Sequence, residues 1–162
     1  GRTGRLFAFE HHSVTPDILT LAKSVAGGLP MGVTAFGDTV GQLAKQSHTS
    51  TFGGNPLVCA VAERVIAHIV EADLPTQAAE QGQHLMNAIR GLSKPQVREV
   101  RGLGLMIGIE LKQPAGKVVR SLMDEGILAL LAGPKVIRLL PPLVIEASDI
   151  DQIVNAFDKV LT

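Results

Sequence analysis

Three segments of this chain hold residue types at spacings that could do chemistry. Lys23 closes the run Ile18-Leu19-Thr20-Leu21-Ala22 and is followed by Ser24-Val25-Ala26-Gly27-Gly28. A lysine set among apolar residues is disfavoured as an ammonium. It then presents more of the neutral amine that imine formation with an aldehyde requires. The glycines behind it would let backbone approach a bound cofactor closely. The same window also describes a lysine at a helix end, its stem on apolar surface and its charge in water.

The second segment is Thr49-Ser50-Thr51-Phe52-Gly53-Gly54-Asn55-Pro56. Hydroxyls and glycines stand just before a helix start, where free N–H groups and the helix dipole favour an anion such as phosphate. An ordinary helix-capping loop reads the same way. A P-loop is excluded, because no Gly-Lys-Ser/Thr tripeptide follows. The third segment is Val136-Ile137-Arg138-Leu139-Leu140-Pro141-Pro142. A guanidinium inside an apolar strand needs a carboxylate, supplied either by a bidentate ligand or by a structural salt bridge.

Other motifs carry less. Gly102-Leu103-Gly104 lacks a third glycine at the dinucleotide spacing. His11 and His12 are adjacent, with no partner at metal-ligand spacing, so no metal is expected. Cys59 reads as a packed core thiol and His48 as a residue behind the phosphate loop. The composition, 46% hydrophobic and 19% charged over 162 residues, supports a sizeable core. Fifteen basic residues balance fifteen acidic ones, so no excess of charge points to nucleic acid or an anionic membrane. The absence of Tyr and Trp leaves little on which bases could stack. No apolar run reaches the roughly 18 residues of a membrane span, and a single cysteine fits a reducing, intracellular setting.

Several elements must position these residues. Leu6–Phe9 reads as a short buried strand, Ile18–Ala22 as an apolar stretch, Val33–Phe36 as a strand and 38–45 as a modest helix. Asn55-Pro56 opens a helix to about Ala72 that is apolar nearly all round, the pattern of a buried helix. Residues 75–92 read as a helix, 97–111 as paired strands and 115–125 as a helix. Residues 127–131 and 136–140 read as extended, and a last helix starts at Ser148 with Asp151 as its capping partner.

Taken in order, Gly1-Arg2-Thr3-Gly4, Phe7-Ala8-Phe9-Glu10, Pro16–Lys23, Gly27-Gly28-Leu29-Pro30-Met31-Gly32, Ser50–Leu57, Arg101–Leu105 and Ile137–Leu143 resemble the class III aminotransferases. These are pyridoxal-phosphate enzymes of fold type I. The resemblance is strongest to the acetylornithine aminotransferase branch, which includes enzymes acting on LysW-linked aminoadipate semialdehyde. It implies an α/β chain. Residues 1–72 would be the end of the large cofactor-binding domain with its interdomain helix, and residues 73–162 a small α+β C-terminal domain.

The resemblance also implies roles. Lys23 would bond to pyridoxal 5'-phosphate and carry the reaction's proton. Thr51, with Ser50 beside it, would bind the cofactor phosphate of a neighbouring subunit, making the active site a property of a homodimer. Arg138 would receive a carboxylate of the amino-acid or 2-oxo-acid substrate, glutamate and 2-oxoglutarate in one half-reaction. The expected reaction is transamination of a terminal amine or semialdehyde in arginine or lysine biosynthesis, in the cytoplasm. An ornithine or 4-aminobutyrate aminotransferase, a decarboxylase or aminomutase on the same scaffold, and a non-catalytic binding module are the alternatives. The family's aspartate for the pyridine nitrogen, its ring-stacking aromatic, its glycine-rich phosphate turn and a second arginine are expected upstream of Gly1. By that reading the chain is part of a longer protein and inactive alone.

Overall fold

A computed structural model describes residues 1–41, 44 and 50–161. The chain forms two compact units, Phe9–Ala72 and a second made of Gly1–Ala8 with Asp73–Thr162. The first eight residues, expected with the N-terminal part, therefore pack with the C-terminal one.

In the unit Phe9–Ala72, strand β1 (Ile18–Leu21) pairs antiparallel with β2 (Val33–Phe36), Ile18 opposite Phe36 and Leu21 opposite Val33. The Gly37 amide donates to the Asp17 carbonyl at 3.0 Å, and the Thr39 hydroxyl to Asp17 Oδ1 at 2.7 Å, closing the hairpin's open end. The strands are joined through a 3-10 turn, Lys23–Ala26, ended by Gly27 in the left-handed region. Leu6–Phe9 is not a strand: Ala8–His12 forms a 3-10 turn instead. The Leu6 carbonyl accepts from the Gly1 amino terminus at 2.9 Å, within the same short segment. Of the helix expected over 38–45, Asp38–Val40 is a 3-10 turn and Gly41 and Ala44 are not helical, while residues 42, 43 and 45 lie outside the described residues.

Helix α1 (Pro56–Glu71) starts where the Asn-Pro pair places it, with Asn55 as N-cap. Its Val61 and Val65 lie where a Cβ on Gly27 would touch them, so that side packs on the 3-10 turn. The rest is open: Leu57 is 68% exposed and Val70 57%, and only Ala62 of the helix is fully buried. The all-round burial that the composition suggests is not met within this unit. A two-stranded hairpin and a turn cannot cover a sixteen-residue helix.

The second unit holds the core. Helix α2 (Leu74–Gly91) buries Ala78, Gly82, Leu85, Met86 and Ile89, one face at helical spacing. Strands β3 (Val97–Leu103) and β4 (Met106–Leu111) form the expected hairpin, followed by α3 (Gly116–Asp124), β5 (Leu130–Leu131), β6 (Val136–Leu139) and α4 (Ala147–Val160). The extended stretch expected over 127–131 is thus a strand only at its end. The antiparallel sheet runs β3-β4-β6-β5. Ile107, Ile109 and Leu111 of β4 and Ile137 and Leu139 of β6 alternate into the core, where they meet Leu85, Ile89, Leu122, Ile150 and Phe157 from the helices. The opposite face carries Arg101, Gly108, Glu110 and Arg138. The last helix is capped two residues earlier than expected: Glu146 and Asp149, not Ser148 and Asp151, form the reciprocal box.

Helix α2 and the β3–β4 turn meet at two glycines. A Cβ on Gly82 would overlap the carbonyl of Gly104, and a Cβ on Gly104 (φ +52) would crowd Arg2, Thr3 and Gly4. The N-terminal octapeptide closes this contact from the other side: the Leu105 amide donates to the Arg2 carbonyl at 2.9 Å, and the Arg2 guanidinium donates to the Pro141 carbonyl. Because backbone meets backbone here, no rotamer can relieve an added methyl. Gly82→Ala is expected to destabilise the protein by about 3 kcal/mol, read as a lowered denaturant midpoint. Gly116→Ala, at a helix start with open space around it, should leave the midpoint unchanged or raise it.

Candidate active site

Lys23 sits at the first position of the turn between β1 and β2, with φ +58. The other non-glycine residues with positive φ among those described are Ser13, Asp73 and Ser93. Serine and aspartate can offset that conformation with local side-chain hydrogen bonds, whereas a lysine carries about 1 kcal/mol or more of backbone strain there. Its side chain is exposed in this chain. Burial by the flanking apolar residues, one of the two expectations, is not observed, because β1 is half exposed and presents only Leu19 and Leu21 inward. Nor does Lys23 end an α-helix. The backbone, rather than an apolar sheath, is what marks it.

Ser50 and Thr51 open the turn before α1, and both are exposed. The Gly53 amide donates to the Ser50 carbonyl at 3.1 Å and the Asn55 amide to the Phe52 carbonyl at 3.3 Å. Gly54 takes φ +67. The anion-binding argument from the helix start needs correction. Asn55 Oδ1 accepts from the Leu57 and Val58 amides at 3.0 and 3.4 Å, Cys59 N–H donates to the Asn55 carbonyl, and Pro56 has no N–H. The first turn of α1 is therefore self-satisfied. Among the described residues, the Ser50 and Thr51 hydroxyls and the Thr51, Phe52 and Gly54 amides of the loop have no partner.

A recess of about 330 Å³ lies between this loop and the hairpin segment Pro30–Gly32, lined also by Ser50, Asn55 and Cys59. Cys59 is accordingly half-buried beside a cavity rather than packed in a core. The structure brings Ser50 to the recess but not Thr51 or Lys23. Thr49 and His48 lie outside the described residues. No His/Cys/Asp/Glu group suited to a metal ion occurs among the described residues.

Arg138 is on β6, opposite Gly108 of β4 and Leu130 of β5. It lines a cavity of about 440 Å³ on the open sheet face, with Thr3, Arg101, Leu103, Met106 and Val136. Its Nε is buried and has no hydrogen-bond partner, and among the described residues no carboxylate pairs with its guanidinium. Among the described residues, this arginine makes no structural salt bridge. A half-buried guanidinium on the wall of a cavity, with no carboxylate paired to it among the described residues, suits an incoming carboxylate.

The carboxylates on that face are engaged elsewhere. Glu110 takes Arg98 at 3.0 Å and Arg101 at 2.8 Å, and Arg101 also pairs with Glu99 at 2.7 Å. The hydrogen bond to Glu110, reinforced by the charges of Glu99 and Glu110, holds the Arg101 guanidinium above its ordinary value. The hydrogen bond from Arg101, with the charges of Arg98 and Arg101, holds the Glu110 carboxyl below the usual carboxylate range. Reasoning from the sequence missed this network and the open position at Gly108. The alternation of Met106, Gly108 and Glu110 with buried residues was a signal for both.

The family model for aminotransferase class III matches residues 1–161. The chain is 44% identical over 162 residues to the [LysW]-aminoadipate semialdehyde transaminase of Deinococcus radiodurans, covering 99% of this chain and 38% of that protein. It is 41% identical to the acetylornithine aminotransferase of Methanocaldococcus jannaschii, covering 100% of this chain and 42% of that protein. A structure of the ornithine aminotransferase from Toxoplasma gondii, described as showing partial occupancy of PLP at its active site, superposes with a TM-score of 0.89. Its identity is 34%, and the match covers 99% of this chain and 39% of that one. This chain belongs to the class III aminotransferases, with an α/β structure like that of the fold type I pyridoxal-phosphate enzymes. It spans about two fifths of the length of these relatives.

Two outcomes follow from the site's local chemistry. Asn55→Ala frees two helix amides and should lower stability by about 1 kcal/mol in a thermal melt. Because its native pKa is depressed, Glu110 contributes stability that is present above the ordinary glutamate range and lost as pH falls through the lower native value. Melts between about pH 3 and pH 6 should show a flatter acid limb in Glu110→Gln than in the wild type.

Proposed function

We propose that the protein carrying this chain is a pyridoxal-phosphate-dependent aminotransferase. It would move an amino group between a terminal amine or semialdehyde, of the acetylornithine or aminoadipate-semialdehyde kind, and the glutamate/2-oxoglutarate pair. The observation that carries this reading is Lys23, an exposed primary amine held by the β1–β2 turn in a strained conformation. The donor set fits the cofactor in kind: an amine for its aldehyde, hydroxyls and loop amides for its phosphate, and a guanidinium on a cavity wall for a substrate carboxylate. When bound, pyridoxal phosphate supplies an electron sink for cleavage at the substrate's amine-bearing carbon.

The chain's own residues would hold and move the rest. Lys23 Nζ, as the free amine, accepts the proton from that carbon and returns it on the other side of the transfer. Ser50 and Thr51 hold the phosphate by their hydroxyls. Thr51 is exposed and outside the recess, which supports a role toward a neighbouring subunit in a homodimer. Arg138 would fix a carboxylate of the amino or oxo acid through its guanidinium. Residues 9–72 would belong to the large cofactor-binding domain and 73–162, with the N-terminal octapeptide, to the small domain. The relatives' names support a place in arginine or lysine biosynthesis and allow a carrier-linked substrate. No helix among the described residues is long and apolar enough to cross a membrane.

Borohydride reduction in the presence of pyridoxal phosphate, followed by peptide mass mapping, should place a pyridoxyl adduct on Lys23. Lys23→Ala should lose both the adduct and turnover, and normal turnover in that variant would end this reading. Arg138→Ala should raise KM for glutamate by about tenfold or more. Product formation should depend on a 2-oxo acid, which a decarboxylase or aminomutase would not require.

A further inference from the structure

We propose that Arg2 is a positioning residue for the carboxylate site at Arg138, an inference that rests on the reading of Arg138 as the carboxylate receiver. Three pieces of chain wall the cavity there: Thr3 of the N-terminal octapeptide, Leu103 and Met106 on either side of the β3–β4 turn, and Arg138 of β6. The ladder ties the strands to one another, and Arg2 ties the octapeptide to them. Its carbonyl accepts from the Leu105 amide at 2.9 Å, and its guanidinium donates through Nη1 to the Pro141 carbonyl. The octapeptide itself has little room to drift. A Cβ on Gly4 (φ +90) would stand 2.9 Å from the Ala79 Cβ of α2, and one on Gly104 would stand 2.5 Å from the Arg2 carbonyl.

The local sequence explains why the end of β6 needs this bond. The strand stops at Leu139, one residue after Arg138, and Pro141-Pro142 follow. Neither proline carries an N–H, so the ladder cannot continue through them. The Pro142 carbonyl is satisfied within its own turn by the Ile145 amide at 3.1 Å. Pro141 is buried, and its carbonyl takes its donor from Arg2, 139 residues away in the chain. A charged donor to a buried carbonyl is a strong and directional tie. It passes the fixed position of the octapeptide to the strand end, three residues from Arg138. Without it, Arg138 would shift against the Thr3 wall, and a carboxylate held by a planar guanidinium tolerates little misplacement. Arg2 thus sets substrate affinity without standing on the cavity wall.

The test uses the intact protein and glutarate, a dicarboxylate with no amine or oxo group to react, with binding read by calorimetry. Arg2→Met keeps the apolar stem and removes the donor. Its Kd for glutarate should rise about tenfold, while borohydride still traps the pyridoxyl adduct on Lys23 to the wild-type extent. Arg2→Lys keeps a charged donor for the Pro141 carbonyl and should bind within about twofold of wild type; a tenfold loss there counts against the proposal. Because Arg2 acts through Arg138, the two losses should not multiply. Arg2→Met/Arg138→Gln should bind glutarate within about twofold of Arg138→Gln alone, a result that a general loosening of the fold would not give. Unchanged affinity in Arg2→Met, or multiplied losses in the double variant, overturns the proposal and leaves the reading of Arg138 standing. Unchanged affinity in Arg138→Gln removes that reading and the proposal with it. Where Arg2→Met folds poorly, Arg2→Gln, too short for the Pro141 carbonyl, takes its place with the same expectations and the same overturning results.

Discussion

The second unit depends on a backbone-to-backbone contact. Gly82 in α2 and Gly104 in the β3–β4 turn approach so closely that neither position has room for a methyl, and the N-terminal octapeptide locks the turn from its other side. This contact fixes where α2 lies on the sheet. The alternation of β4 then sends Ile107, Ile109 and Leu111 into the helices and turns Gly108 and Glu110 outward. Everything chemical on the open face follows from that choice of sides, since a slip of one residue would exchange them.

On the open face, electrostatics decides which charges neutralise one another. A network of two acids and two arginines is nearly self-contained, with Glu110 taking both arginines and Arg101 shared with Glu99. Arg138 lies one strand away, on the wall of its cavity. Lys23 is marked by conformation rather than charge. Its left-handed backbone is strain at the residue proposed to supply the reacting amine.

The unit Phe9–Ala72 is built on a different scale. Its described residues bury fully only Ala26 and Ala62, while Phe52, Leu57, Val70 and Ile18 stand largely exposed. A hairpin, short 3-10 turns and one helix offer too few layers to enclose a core. The chemistry-bearing positions here are therefore set by local rules: a proline and asparagine at a helix start, glycines in turns, a short register between two strands. Local rules also explain why Asn55 takes the helix N–H groups that would otherwise face an anion.

The sequence by itself determined family, helix starts and strand alternation, because these depend on residue types at fixed local spacing. The Asn55-Pro56 start of α1, the face of α2 and the β3–β4 hairpin could all be read directly. So could Lys23, Ser50, Thr51 and Arg138 as the residues to examine, through motifs that survive without knowledge of the fold. Only the tertiary structure decided what surrounds them. Apolar neighbours suggested a buried Lys23 and a buried α1, and both are exposed, because burial depends on which layers are present and not on composition along the chain. Whether Arg138 met a carboxylate was likewise undecidable from its window. The arginines that pair with Glu110 come from β3, some forty residues before Arg138 in the chain, and only sheet register brings them to one face.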